Sequence, residues 1–226
     1  VNRNRGSCPF KRVFLWRFVM GLLVGKRAPS FQCNAVMADG SIEESFCFAD
    51  FSSGKYVVIF FYPLDFTFVC PSEILAFANL YEAVSAMNAD VLGVSIDSHH
   101  THRAWRETPL TDGGIGAVPF PLAADLTREI SRAYGVLSEA GDSYYPEGVA
   151  MRATFILDAN GVVRHQVVND EPLGRNIDEV LRLLDALQFF EQHGQVCPAG
   201  WTVGKKGMSN TPSGVAEYLS EHGATL

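Results

Sequence analysis

The stretch YVVIFFYPLDFTFVCPSEILAFANLYEAVSAMNADVLGVSI, residues 56–96, decides the fold. Tyr56–Tyr62 is an unbroken run of aliphatic, β-branched and aromatic side chains, the composition of a strand covered on both faces. After the segment 63–69, Ile74, Leu75, Ala78, Leu80, Tyr81 and Val84 recur at mostly helical spacing, which predicts a helix over Ser72–Met87 closed by Asn88. Asp90–Ile96 reads as a second buried strand. Strand, helix and strand in one short stretch form a βαβ unit, so the central sheet is at least partly parallel.

Working outward, Thr127–Tyr134 is a short helix ended by Gly135. Ala153–Leu157 and Val162–Val167 flank Asp158-Ala159-Asn160-Gly161, whose Asn-Gly pair signals a hairpin. Asn176 caps an amphipathic helix with one stripe of Ile177, Val180, Leu181, Leu184 and Leu187, stopped at Gly194. Residues 195–226 are loop-rich, with Cys197-Pro198, Pro212 and many small side chains. Such a segment cannot build its own core and is expected to pack as an arm. There is no internal repeat.

The chain has 226 residues, 47% hydrophobic and 19% charged, which excludes a disordered tail or a low-complexity array. With a formal net charge of −7 it has no global basic field to hold a nucleic acid. Its five cysteines, at 8, 33, 47, 70 and 197, are odd in number and include no Cys-x-x-Cys, against both a disulfide scaffold and a zinc knuckle. A reducing, cytoplasmic setting is expected. Residues 1–19 differ from the rest, carrying Arg3, Arg5, Lys11, Arg12 and Arg17 with no acid. They lack the clean apolar core and cleavage site of a signal peptide, and no apolar run spans a membrane. Three readings stay open for them: a translated segment upstream of a start at Met20, a basic targeting or membrane-surface segment, or an ordered extension. The expected organisation is a basic leader over 1–21 outside the fold, a main domain over 22–180, and a helix end and arm over 181–226.

Cys70 stands where the loop 63–69 meets the following helix. Unpaired backbone N–H groups and the helix dipole favour an anion there, so a thiol so placed is more readily ionised. Thr67 can turn its hydroxyl toward the sulfur or an incoming oxygen, and Pro71 fits a first helical turn. On chemistry alone the alternative, a small buried hydrophobe, stays open. The cluster His99-His100-x-His102 has no carboxylate or cysteine to complete a metal shell, and a Cys-x5-Arg phosphatase loop fails because Ala76 takes the arginine position. Cys33 and Cys47 read as packed residues.

Pro63, Thr67 and Cys70 form Pro-x-x-x-Thr-x-x-Cys, which resembles the peroxiredoxin signature, and FFYPLDFTFVCPSE is similar to the typical two-cysteine branch of alkyl hydroperoxide reductase C type. Asp97-Ser98 with Ala104-Trp105, Met151–Phe155, Val168–Arg175 and Gln195–Trp201 resemble further family segments in the same order, from about residue 22 to about 220. The resemblance implies an α/β thioredoxin-like fold, a mixed central sheet flanked by helices with a C-terminal arm. It implies Cys70 as peroxidatic nucleophile toward hydrogen peroxide and organic hydroperoxides, with Thr67 bonding sulfur and peroxide and Pro63 shielding the sulfur. Arg152 would hold the thiolate and the leaving oxygen, Glu73 would orient the arginines, and Arg175 and Trp105 would help to bind or orient substrate. Cys197 would resolve the sulfenic acid of a partner subunit. No cofactor and no metal are implied. The implied partners are a thioredoxin or a dedicated flavoprotein reductase, and a second copy in a homodimer that assembles into a ring of five dimers. Thiol–disulfide exchange is the nearest rival but usually needs Cys-x-x-Cys, where this chain has Glu73. Holdase chaperone activity of the ring is a second reading. Gly113-Gly114-Ile115-Gly116 and Tyr218-Leu219 resemble, with a leucine in place of phenylalanine, two elements of peroxide-sensitive members.

Overall fold

The computed structural model describes residues 21–141 and 144–225, so the readings for the basic leader at 1–20 fall outside the described residues. Seven strands form one mixed sheet: β1 (Gln32–Val36), β2 (Ile42–Cys47), β3 (Tyr56–Phe61), β4 (Ala89–Ser95), β5 (Leu122–Ala124), β6 (Arg152–Leu157) and β7 (Val163–Asn169), in the spatial order β2-β1-β5-β4-β3-β6-β7. β3 pairs parallel with β4, and β4 with β5, as the βαβ reading requires. β6 lies antiparallel to β3 and to β7, the latter through the hairpin expected at Asp158–Gly161. The helices of the described residues are α1 (Phe48–Phe51), α2 (Cys70–Ala86), α3 (His99–Glu107), α4 (Glu129–Ala133), α5 (Ile177–His193) and α6 (Pro212–His222). This is the thioredoxin-like α/β fold that the resemblance implies.

The two faces of β3 explain its unbroken apolar sequence. Val57, Ile59 and Phe61 point into one core with Leu92, Val94, Ala123, Tyr134 and Phe155. Phe60 points the other way, stacked on Phe77 of α2 at 4.5 Å and edge-on to Phe120 at 5.8 Å. Gly93 on β4 makes room for this second layer: a Cβ there would stand 2.7 Å from Leu122 Cδ2 and 2.9 Å from the Phe60 ring.

Several elements depart from the sequence expectation. α2 begins at Cys70 rather than Ser72, since Pro71 in the first turn needs no N–H partner. α4 covers only Glu129–Ala133 of the helix expected over 127–134, because Arg128 takes a left-handed φ of 60°. β1, β2 and β5 are short or polar and carry little periodic signal. α6 forms inside the expected loop-rich arm, where Thr211 accepts from Gly214 N and Pro212 opens the helix.

The chain divides into two compact units, one ending at Arg175 and one starting at Asn176. In the second, Asn176 Oδ1 accepts from Glu179 N and Gly194 ends α5 with a φ of 66°. Trp201 is buried beside Phe189, ring centroids 4.8 Å apart, and its carbonyl accepts from Arg182 Nη1 at 2.8 Å. Val196 and Met208 bridge antiparallel. Among the described residues, no helix is long and apolar enough to cross a membrane.

Candidate active site

Cys70 is the first residue of α2 and is 1% exposed. β6 begins at Arg152, whose Nη1 donates both to Cys70 Sγ at 3.5 Å and to Glu73 Oε2 at 2.7 Å. Cys70 and Glu73 lie three residues apart on one face of α2, so one guanidinium can serve both. Glu73, 3% exposed, also accepts the Arg175 backbone N–H at 3.0 Å and pairs with Arg175 Nε at 3.3 Å. The other end of Arg175 donates to the Phe61 carbonyl, and its guanidinium lies over the Phe60 ring at 5.3 Å. The sequence-predicted Cys70, Glu73, Arg152 and Arg175 therefore meet in one buried cluster.

Burial opposes the Arg152 charge, but Glu73 and the Cys70 sulfur outweigh it and leave its pKa above the ordinary arginine value. Burial dominates at Arg175 and pulls its pKa down to about 10, with Glu73 resisting, so both guanidiniums stay charged at neutral pH. The deeply buried charges are thus two cations and one carboxylate. A developing oxyanion beside the sulfur is stabilised by the same donors.

Two residues that sequence reasoning passed over complete the frame. Glu171 accepts Arg152 Nε on its carbonyl at 3.0 Å and approaches Nη2 with its carboxylate at 3.6 Å. The Tyr145 hydroxyl accepts from Arg152 N at 2.9 Å and donates to Asn169 O at 2.6 Å. Glu171 stood in a recognised segment without a role; Tyr145 had no signal, because only the fold brings it to β6.

Pro63 is buried at the end of β3, and Thr67 is half-buried. The Thr67 hydroxyl donates to Leu64 O at 2.8 Å, closing the loop, rather than to the sulfur as expected. Its oxygen keeps lone pairs to accept from an incoming O–H. Trp105 stands apart from the cysteine cluster. It is fully buried, its indole N–H donates to Gly113 O at 2.8 Å, and its ring lies 5.7 Å from Phe66, which leaves no donor for substrate. Cys197, half-buried in the second unit, donates to Ala186 O at 3.4 Å. Burial pushes its thiol above the ordinary pKa, and Arg182 pulls back. Of the histidine cluster, His102 is buried against Asp65, whereas His99 bonds Asn34 and lies beside His100 with the rings tilted by 42°.

Residues 24–166 match the AhpC/TSA family and residues 186–221 the C-terminal domain of 1-Cys peroxiredoxin. Alkyl hydroperoxide reductase C of Helicobacter pylori is 49% identical over 205 residues, covering 91% of this chain and 100% of that protein. Peroxiredoxin-2 of Bos taurus is 49% identical over 199 residues, covering 88% of this chain and 96% of that one. The reduced 2-Cys peroxiredoxin of Plasmodium vivax superposes with a TM-score of 0.82 at 45% identity, covering 88% of this chain and 99% of that one. With the fold and the cysteine–arginine cluster in agreement, the chain belongs to the AhpC/TSA family of peroxiredoxins and is a thiol peroxidase.

Proposed function

We propose that Cys70 is the peroxidatic cysteine and that it reduces hydrogen peroxide and organic hydroperoxides of the kind named for the alkyl hydroperoxide reductase relatives. The observation that carries this reading is the Arg152 guanidinium, 3.5 Å from the buried sulfur and held by Glu73. The Cys70 thiolate attacks the terminal peroxide oxygen, an S–O bond forms, the O–O bond breaks, and the leaving alkoxide or hydroxide takes up a proton. Arg152 donates to the sulfur and to the departing oxygen. Arg175 adds positive charge behind Glu73, Thr67 accepts from the peroxide O–H, and Pro63 keeps water from the sulfur.

Cys197 of a partner subunit then attacks the sulfenic sulfur, giving a disulfide and water, and an external dithiol returns both cysteines to the reduced state. The working division is a catalytic domain over 22–180 and an arm over 181–226. The protein acts in the cytoplasm as a homodimer that assembles into a ring of five dimers, with a thioredoxin or a dedicated flavoprotein as reductant. A coupled NADPH assay with each reductant tests this reading: peroxide-dependent oxidation with one of them supports it. No consumption with either, in protein whose Cys70 gains oxygen on treatment with peroxide, would assign a different reductant. No oxygen gain at Cys70 overturns the assignment.

A further inference from the structure

The ladder between β6 and β7 ends where Arg152 stands opposite Asn169. A side chain from outside the sheet joins that last pair. The Tyr145 hydroxyl accepts from Arg152 N at 2.9 Å and donates to Asn169 O at 2.6 Å, so a single O–H serves one strand as acceptor and the other as donor. Tyr145 is 8% exposed, and the chain around it is itself pinned. Leu137 and Ala150 bridge antiparallel, and Met151 N donates to Val136 O at 2.7 Å. The Ser138 hydroxyl donates to the Pro146 carbonyl at 2.5 Å and accepts from Val149 N at 3.1 Å.

Both sides of this tie lead to the charged cluster. On the β6 side it fixes the backbone from which the Arg152 guanidinium reaches Cys70 and Glu73. On the β7 side Asn169 starts the segment that holds both arginines. Its Nδ2 donates to the carbonyls of Leu173 at 3.0 Å and Gly174 at 3.2 Å, the Glu171 carbonyl accepts Arg152 Nε, and Arg175 N donates to Glu73. An arginine side chain has several rotatable bonds, so its donors stay in one place only if base and tip are both fixed. Glu73 and Glu171 fix the tip of Arg152, and Tyr145 fixes its base. A phenylalanine at 145 would fill nearly the same space but remove a bond to each strand, and the end of the ladder would shift to satisfy the N–H and the carbonyl left behind.

We propose that Tyr145 is a positioning residue for peroxide reduction: its hydroxyl locks the start of β6 to the segment 169–175 and so holds the Arg152 guanidinium where it meets the departing peroxide oxygen. This rests on Cys70 as the attacking thiol. Tyr145 touches neither sulfur nor substrate; it acts through Arg152, and its removal costs the reaction that needs that donor more than one that does not.

The test compares two reactions of Cys70 in the reduced full chain at one pH: single-turnover reduction of hydrogen peroxide, and alkylation by iodoacetamide read on the Cys70 peptide. Both use the thiolate, so their ratio cancels a change in the ionised fraction, but only the first develops an oxyanion for Arg152 to stabilise. Tyr145→Phe is expected to lower the ratio of peroxide to alkylation rate about tenfold, less than the roughly 10²-fold that a misplacement of about 1 Å can cost. In the Arg152→Met background the same substitution should leave the ratio unmoved, because the group it positions is gone. Should Tyr145→Phe fail to fold, Ser138→Ala, which frees the Pro146 carbonyl beside Tyr145, is measured in both backgrounds and should show a smaller fall with the same dependence on Arg152. A ratio equal to wild type, or an equal fall with and without Arg152, overturns the proposal. Turnover surviving in Cys70→Ser would instead refute the assignment of Cys70.

Discussion

The two cysteines assigned to catalysis sit in contrasting surroundings. Cys70 is 1% exposed, and its cluster joins α2, β6, the end of β3 and the segment after β7 through buried charges. Cys197 is half-buried, and its sulfur meets one backbone carbonyl on the neighbouring helix of its own unit. Charges drawn from distant parts of the sequence are costly to separate, whereas a sulfur held by one local contact is released at low cost. Even at Cys70 the restraint is uneven: Val69 makes no side-chain cap at the first turn of α2. A disulfide needs Cα atoms about 4.4–6.8 Å apart, so on the assignment proposed above the segment carrying Cys197 or the start of α2 must move.

The sharpest way to break the comparison is to remove each thiol. Cys70→Ser should abolish turnover, whereas Cys197→Ser should reduce one equivalent of peroxide and then stop. On nonreducing gels, wild type treated with one equivalent should run as a covalent dimer and Cys197→Ser as a monomer. An oxidised wild type that stays monomeric would show that the resolving partner is not Cys197 of another chain.

Next in size is Arg152→Met, which deletes the donor to sulfur and leaves Glu73 buried with a single cation. The second-order rate with peroxide should fall by about 10²–10³, the loss found when one preorganised donor to a developing oxyanion is removed. An unchanged rate would mean that the guanidinium serves only the fold.

What was legible in the sequence follows the same division. β3, β4 and α2 announce themselves because burial on two faces demands unbroken apolar composition, and Pro63, Thr67 and Cys70 stand at fixed spacing in one loop. Glu73 and Arg152 were nameable only through family resemblance. Tyr145 was not nameable at all, because its hydroxyl meets the Arg152 backbone only after β6 and the preceding turn have folded. Trp105 was assigned to substrate from its place in a motif, yet its N–H is committed to Gly113. In the same loop a Cβ on Gly114 would stand 1.8 Å from Thr108 O, so only glycine passes there. β2, with Glu43 and Glu44 on a sheet edge, hides its strand character behind the charges that protect edges.

A smaller effect separates the two thiols by pH. Burial raises the Cys197 pKa and Arg182 lowers it, so the thiolate is scarce at neutral pH and grows as pH rises. Peptide-resolved alkylation of Cys70→Ser protein should show Cys197 labelling accelerate with pH, and Arg182→Met should slow it at neutral pH. Cys33, pushed up to about 12 by burial and Asp125, should stay unlabelled while the fold is intact. Equal labelling of Cys197 with and without Arg182 would remove that cation from the account.

The smallest expected effect concerns excess peroxide, where the sulfenic acid partitions between resolution by Cys197 and further oxidation to sulfinic acid. Whatever holds the Cys70 helix folded, by resemblance a covering C-terminal helix, delays resolution and favours the second course. α6 carries Tyr218 and Leu219 where the peroxide-sensitive relatives, by resemblance, carry an aromatic pair, and Leu219 is 49% exposed. An aromatic ring there adds about 0.5–1.5 kcal/mol when it finds a ring partner, and leucine forgoes that share. Leu219→Phe should therefore raise the sulfinic fraction per turnover, and deleting residues 213–226 should lower it, both read as mass gain on intact protein. A fraction unmoved by the deletion would show that α6 exerts no control over Cys70, and the contrast between a fixed site and a yielding arm would then rest on the first turn of α2 alone.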